Sequence, residues 1–114
     1  MKRKKKLKES DLQKSVLDLL RWHKYLAFKV PSVGIRKPNG SYIPLPQRGI
    51  SDIIALSPKG IMLALEIKAG HNKLSDAQAK FLEEVNNHFG IGREIRTIDE
   101  VIDLIEELEE LQNK

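Results

Sequence analysis

The chain has 114 residues, no cysteine and a formal net charge of +4 at pH 7. This length supports a single domain, and the absence of cysteine excludes a disulfide scaffold and thiolate metal ligands. The excess of lysine and arginine suits a polyanionic partner such as nucleic acid. Because no apolar run is long enough to cross a membrane and no signal-peptide core is present, we expect a cytoplasmic protein without a membrane partner.

The N-terminal part of the chain predicts a basic arm followed by a helix. Residues 1–7 form the arm, which is either a solvated tail or a segment that tracks along the DNA backbone. Residues 8–114 form the folded domain. Over residues 8–26, apolar side chains recur at helical spacing at Leu12, Val16, Leu19, Leu20 and Leu26. Glu9 lies near the buried face of this helix, unless Ser10 and Gln13 form a capping box that leaves Glu9 outside it.

A strand and a hairpin follow the helix. Residues 27–30 predict a strand that Pro31 ends, and Asn39-Gly40 within residues 33–46 is a strong hairpin signal. The hairpin is either a contact to a substrate strand or an ordinary surface excursion or subunit contact. In the first case the predicted DNA-binding side chains, here and in later loops, are Arg36, Lys37, Arg48 and Lys73.

A second hairpin, formed by residues 52–56 and 61–68, carries the charged residues that suggest a functional site. Residues 57–61, Ser-Pro-Lys-Gly-Ile, predict a three-residue loop with Gly60 in the left-handed position. If Ser57 pairs with Ile61, the register places Asp52 opposite Glu66, on the face that Lys68 shares. A two-residue loop would send Asp52 to the other face, so the predicted site depends on this turn.

Two neighbouring carboxylates in an apolar setting repel each other unless a cation lies between them. The chain has no cysteine and no pair of histidines at the spacing of a zinc site, so the available ligands are oxygen atoms. Oxygen ligands favour Mg²⁺ or Mn²⁺. Asp52, Glu66 and the backbone carbonyl of Ile67 would hold the metal, and Lys68 would act on the attacking water or on the developing charge. The chemistry expected of this set is metal-assisted phosphodiester hydrolysis.

The remaining segments complete the predicted fold. A helix opens at Ser75 and runs to about His88, with Gly90 as its stop, and its predicted core residues are Phe81, Leu82, Val85 and Phe89. Residues 93–96 predict a strand parallel to its neighbour. A capping box at Thr97 starts a last helix with a solvated acidic face and with Val101, Leu104, Ile105 and Leu108 buried. The fold class is α/β: a single domain with a central mixed β-sheet flanked by helices.

These motifs carry a resemblance to known nucleases. Asp52 followed by Glu66-Ile67-Lys68 on the next strand resembles the PD-(D/E)xK nuclease superfamily. Together with Glu9, Gly49-x-x-Asp52 and Leu74-Ser75-x-x-Gln78, the chain from Lys8 to Leu104 is similar to the small stand-alone virus-type replication-repair nucleases (VRR-Nuc) of phages and bacteria. Ser51 stands where that family usually has proline, which only stiffens the approach to the metal-binding aspartate.

The resemblance implies a Mg²⁺- or Mn²⁺-dependent DNA endonuclease that acts as a homodimer on branched DNA such as four-way junctions. It implies that Glu9 assists the metal, directly or through water, where otherwise Glu9 would simply favour the positive helix N-terminus. It also implies that Gln78 faces the site, where otherwise its amide would serve only the capping box of its own helix.

Two other function classes fit the sequence. In the first, Asp52, Glu66 and Lys68 form a structural ion-pair cluster in a nucleic-acid-binding module without catalysis, which would hold DNA equally well with a chelator present. In the second, the chain is a subunit-interaction protein that uses its acidic helix and has no affinity for DNA. Metal dependence and salt-dependent DNA binding separate these hypotheses.

Overall fold

The structure, a computed structural model, describes residues 8–31, 35–43 and 49–112. Along the chain the elements are α1 (Glu9–Trp22), β1 (Leu26–Lys29), β2 (Ile35–Arg36), β3 (Tyr42–Ile43), β4 (Ile53–Leu56), β5 (Met62–Ile67), α2 (Asp76–Asn87), β6 (Ile91–Ile95) and α3 (Ile98–Gln112). The predicted basic arm at residues 1–7 and Arg48 lie outside the described residues. None of the helices in the described part of the chain is long and apolar enough to span a membrane.

Helix α1 begins one residue before the possible capping box. Lys8 is its N-cap and makes no side-chain capping bond, so Ser10 and Gln13 do not form the box, and Glu9 is the first helical residue. An acidic residue is favourable there because the unpaired amides of the first turn carry partial positive charge. The helix ends at Trp22, four residues earlier than predicted, because Lys24 adopts a left-handed conformation with φ of 69°.

The main sheet has four strands in the order β1-β4-β5-β6. Strands β1, β4 and β5 are antiparallel neighbours, whereas β6 lies parallel to β5, as expected after a helical crossover. In the β4–β5 hairpin, the amide of Ser57 donates to the carbonyl of Ile61 at 2.9 Å, and Gly60 has a φ of 88°. The three-residue loop and the mixed sheet are therefore confirmed.

The two faces of the sheet are covered unequally. One face packs its apolar side chains, including Ile53, Leu63 and Leu65, into a core shared with α1 and α3. On the other face, Ala64 packs against Leu82 of α2. Among the described elements, helix α2 lies over β5 and β6, and from β4 Ile54 packs against the same cluster. Leu26, Phe28 and Leu56 on this face are exposed.

Two residues predicted to be buried are exposed. Leu26 starts the edge strand β1 instead of ending α1, and it lies on the part of the sheet that α2 does not cover. Phe89 follows α2 in the left-handed conformation, with φ of 67°, and its side chain is 94% exposed. The helix therefore ends at Asn87, and the left-handed residue that follows it is Phe89, one position before the glycine predicted to stop it.

The outer edge of β1 is occupied by a side chain of α1. Arg21 donates from Nε and from one terminal nitrogen to the carbonyl of Ala27, at 3.1 and 3.0 Å. Because Ala27 belongs to an edge strand, this carbonyl would otherwise be available to another strand.

Strands β2 and β3 form a separate two-stranded hairpin around Asn39-Gly40, as predicted. The amide of Gly40 donates to the carbonyl of Lys37 at 3.0 Å, and Gly40 has a φ of 87°. Within the described residues, this hairpin packs against no other helix or strand.

Candidate active site

The hairpin register brings Asp52 and Glu66 together. Ile53 pairs with Leu65, so the next position along the ladder places Asp52 opposite Glu66, and both side chains lie on the face that carries α2. Asp52 Oδ2 accepts a hydrogen bond of 2.9 Å from the backbone amide of Ile67. This bond holds the Asp52 carboxylate against β5, beside the Glu66-Ile67-Lys68 motif.

Glu66 is a buried carboxyl group that its surroundings satisfy only in part. Glu66 is 2% exposed, and its Oε2 atom has no hydrogen-bond partner among the described residues. Burial and, to a smaller extent, the neighbouring Asp52 raise the pKa of Glu66 to about 8, against the opposing effect of Lys68. Without a cation, this carboxyl group therefore holds a proton at neutral pH.

Gln78 makes both of the contacts that the sequence offered as alternatives. Its side-chain Oε1 accepts from the backbone amide of Ser75 at 2.9 Å, and its backbone amide donates to Ser75 Oγ at 3.1 Å. These two bonds complete a capping box at the start of α2. Its Nε2 donates to Glu66 Oε1 at 2.9 Å. One side chain thus fixes the helix start and the Glu66 carboxyl group at the same time.

Lys68 lies at the end of β5, next to the same carboxyl group. Its Nζ is 3.9 Å from Glu66 Oε1, and its side chain is 14% exposed. The amide of Lys68 donates to the carbonyl of Ile95, which extends the parallel ladder past the end of β5. This places a cation beside the two carboxyl groups, at the edge where the strands leave the sheet.

Glu9 reaches the loop after Lys68. Its Oε1 accepts from the amide of Ala69 at 3.0 Å and from the side chain of Asn72 at 3.2 Å. Within the described residues, no group of three acidic or histidine side chains is close enough to hold a metal ion together. Glu9 therefore holds the start of α1 against this loop, and the structure does not join it to Asp52 and Glu66 in one ligand set.

Arg96 was not singled out from the sequence, although it organises the same loop. It donates from Nε to Glu94 at 2.6 Å, and from its terminal nitrogens to the carbonyls of Gly70 and Asn72. Glu94 is the partner of Glu66 in the parallel ladder, so the two side chains point to the same face. Because parallel strands end at the same edge, the residue just after β6 could have been expected near the loop after β5.

Gly49 lets the chain pass very close to the start of α2. A Cβ atom on Gly49 would lie 2.3 Å from the carbonyl oxygen of Ala77, and Gly49 has a φ of 79°. Only glycine fits this position without displacing the chain. The approach fixes the segment before Asp52 against the turn of α2 that carries Gln78.

The structure describes the side chains of only two of the four predicted DNA-binding residues. Lys73 is exposed in the loop that joins β5 to α2, and Lys37 is exposed in the β2–β3 turn. Arg36 belongs to β2, where the backbone alone is described, and Arg48 lies outside the described residues. Lys73 is therefore the one of the four that the structure brings to the loop following Lys68.

The cluster fits a hard divalent cation. Glu66 Oε2 is a buried oxygen without a partner, and the Asp52 carboxylate lies opposite on the next strand. Carboxylate and carbonyl oxygens are the ligands that Mg²⁺ and Mn²⁺ prefer. The residues available to hold such an ion are Asp52, Glu66 and the backbone carbonyl of Ile67.

Comparison with known proteins identifies the fold. Protein-family models and curated protein sequences give no match. Among solved structures, the chain is similar to one described as "VRR_NUC domain", with a TM-score of 0.63 and 19% sequence identity. The similarity covers 86% of this chain and 94% of that chain. At this identity the comparison confirms the predicted fold.

Proposed function

We propose that this chain, which has the fold of a VRR_NUC domain, is a metal-dependent endonuclease that hydrolyses phosphodiester bonds in DNA. The observation that carries the proposal is the cluster of Asp52, Glu66, Lys68 and Gln78, in which a buried carboxylate oxygen lacks a partner. A buried carboxyl oxygen without a partner costs stability, and a cation bound at this oxygen would offset that cost.

Each residue has a distinct role in the proposed reaction. Asp52, Glu66 and the carbonyl of Ile67 hold the metal, and Gln78 keeps the Glu66 carboxyl group oriented. A bound Mg²⁺ or Mn²⁺ would lower the pKa of a coordinated water and neutralise charge on the phosphate. Lys68 donates a hydrogen bond or a proton to an oxygen of the reacting phosphate, or positions the attacking water.

Glu9 supports the site in this proposal. Its contacts to Ala69 and Asn72 fix the loop that follows Lys68, and in this proposal it assists the metal directly or through water. The role of Glu9 is therefore separable from that of Asp52 and Glu66.

The proposed substrate is branched DNA, such as a four-way junction, cut by a homodimer. A chain of 114 residues offers little surface for recognising a long duplex, whereas two copies related by symmetry present two sites. Lys37 and Lys73 are exposed cations suited to phosphate contacts, and Arg36 and Arg48 belong to the same proposed DNA-binding set.

The test is cleavage of a labelled four-way junction and a matched linear duplex in Mg²⁺, in Mn²⁺ and in chelator. We expect metal-dependent nicking near the branch by the wild-type chain, with the rate reduced at least about a hundredfold in Asp52→Asn and Lys68→Ala. The matched controls are Asp18→Asn and Lys14→Ala, which change an exposed surface pair on α1 and should keep full activity. Equal loss in the controls would contradict the residue assignment.

A second function is favoured by one observation. Glu66 already has a hydrogen bond to Gln78 and a cationic neighbour in Lys68, so the cluster could be a structural network in a DNA-binding module without catalysis. DNA binding that survives chelation, with no cleavage in any metal, would favour that module over the nuclease.

A further inference from the structure

One part of the sheet has an apolar surface that none of the described helices and strands covers. The five side chains that form it, called the apolar face below, are Leu26, Phe28, Leu56, Met62 and Phe89. They are between 36% and 94% exposed. Leu26 pairs with Leu56 and Leu56 pairs with Met62, so these three side chains form one row across β1, β4 and β5. Phe89 adjoins the row from the end of α2.

Phe89 is held in a conformation that costs free energy. A left-handed residue at a helix end is usually glycine, because a side chain there costs about 1 kcal/mol. The amide of Phe89 donates to the carbonyl of Asn86, and the amide of Gly90 donates to that of Val85, so the helix end itself fixes this geometry. Because its side chain is 94% exposed, the phenyl ring makes little packing with the described residues that would offset this cost.

A groove lies beside the exposed ring. It has a volume of about 460 Å³ and is lined by Met62, Phe81, Val85 and Phe89, with Glu84 and His88 among its polar lining residues. A projecting aromatic ring next to an apolar groove is self-complementary, because in a two-fold pair each copy can place its ring in the groove of the other.

We infer that the apolar face is the surface through which two copies of this chain pair, sheet face against sheet face. The five side chains together expose roughly 500 Å² of apolar surface, taking about 200 Å² for a whole side chain. This lies in the upper part of the range of about 300–600 Å² for the largest apolar patch on a monomer, a patch that is often functional. A polar rim around it would bring the buried area toward the ~800 Å² per partner of a stable interface.

The apolar face is better suited to a protein partner than to nucleic acid. None of the five side chains carries a positive charge, whereas phosphate contacts supply most of the affinity for nucleic acid. The groove is lined by one carboxylate and one imidazole, so no excess charge of one sign opposes a second copy.

Pairing through the strand edge is disfavoured by Arg21. Its guanidinium donates two hydrogen bonds to the carbonyl of Ala27 on the outer edge of β1. An added strand would need this carbonyl as an acceptor. A second copy is therefore expected to cover the open face of β1 and β4 and not to extend the sheet.

This surface defines how the two proposed active sites are arranged. Met62 and Glu66 belong to the same strand and face, four residues apart, which is about 13 Å along β5. The apolar face and the carboxylate cluster thus lie side by side on one surface of the sheet. The inference rests on the homodimer proposed above and adds the residues that form it.

The test measures oligomeric state alone, by sedimentation velocity of the full chain across the micromolar range. We expect a wild-type dimer and a dimer dissociation constant raised at least about tenfold in Phe89→Gly and in Leu26→Ser. Phe89→Gly relieves the left-handed residue, so its monomer should fold at least as well as the wild type. The control is Trp22→Ser, because Trp22 is 81% exposed on α1, outside the apolar face.

The outcomes separate the two proposals. A wild-type chain that stays monomeric throughout would overturn both the homodimer and its surface. A dimer that persists in Phe89→Gly and Leu26→Ser, or that Trp22→Ser dissociates equally, would overturn the surface and leave the homodimer standing. Nuclease activity is measured separately, so its absence would leave the pairing result unchanged.

Discussion

Gln78 donates a hydrogen bond of 2.9 Å to Glu66 while its carbonyl oxygen accepts from the amide of Ser75. The donor half of the side chain serves the candidate site, and the acceptor half serves the helix. The two functions can therefore be separated by substitution, because glutamate keeps the acceptor oxygen and loses the donor.

Gln78→Glu should reduce cleavage and leave α2 intact. The substituted carboxylate can still cap Ser75, but it places a third negative charge beside Glu66 and removes the hydrogen bond that orients it. We expect a rate at least about tenfold lower, measured under single-turnover conditions, with unchanged helix content by circular dichroism. Ser75→Ala is the complementary variant: it should cost about 1 kcal/mol of unfolding free energy and retain most of the activity. The reverse pattern would show that Gln78 serves the helix alone.

The stability of the metal-free protein should fall as pH rises from about 4.5 through about 8. The unfolded carboxyl group of Glu66 loses its proton near 4.5, whereas burial in the fold raises its pKa to about 8. Between these values only the folded state holds the proton, so each rise in pH favours unfolding, and above about 8 the stabilising contribution is lost. Below 4.5 that contribution is fully present.

Urea unfolding at several pH values in chelator measures this dependence. Glu66→Gln keeps the shape of the side chain without its ionisation, so we expect the variant to gain stability over the wild type at pH 8 and to show a flatter pH profile. Mg²⁺ or Mn²⁺ should restore stability to the wild type and not to Glu66→Gln. Parallel pH profiles for the two proteins would show that Glu66 ionises normally.

Arg96→Ala should destabilise the protein and slow cleavage together. The substitution leaves the carbonyls of Gly70 and Asn72 without their donors and removes the cation that pairs with Glu94. We expect a loss of about 1–3 kcal/mol in unfolding free energy, measured in urea, and a lower rate with unchanged DNA affinity. Arg93→Ala is the control, because its contact to Glu107 spans 3.6 Å at the surface, and it should change stability by less than about 0.5 kcal/mol. Similar effects of the two variants would contradict a specific role for Arg96.

Ser51→Ala should stabilise the protein. Ser51 is fully buried and its hydroxyl oxygen has no partner among the described residues, so removing it relieves a desolvation cost of about 1 kcal/mol. Ser57→Ala is the matched control, since Ser57 Oγ accepts from the amide of Ile61 at 2.9 Å in the hairpin turn. We expect opposite signs in urea unfolding, and a loss of stability in both variants would show that Ser51 has a partner in solution.

The position of the candidate site could be predicted from the sequence because it depends on local rules. Once the turn at Gly60 is recognised, the period of two along a strand places Asp52 opposite Glu66. The contacts of Gln78 could be predicted only as alternatives, because both are local possibilities and the tertiary fold decides that they coexist.

Other features depend on packing between distant segments. Leu26 and Phe89 are as apolar as core residues, but α2 lies mainly over β5 and β6 and leaves both side chains exposed. No local sequence pattern specifies which part of the sheet the helix covers. Arg96 donates to carbonyls in the loop after β5. It can reach this loop because β5 and β6 are parallel and end at the same edge of the sheet. Glu9 similarly meets Ala69 across 60 positions in the chain.

The β4–β5 hairpin also bears on how the protein reaches its native state. Its closure requires only a three-residue turn, so the loss of chain entropy is small and the pairing of Asp52 with Glu66 can form early in folding. The contacts of Glu9 and Arg96 require segments from both ends of the chain and belong to a later stage. The acidic pair would then come together before the rest of the site assembles around it, and Glu66 can take up a proton as the pair becomes buried.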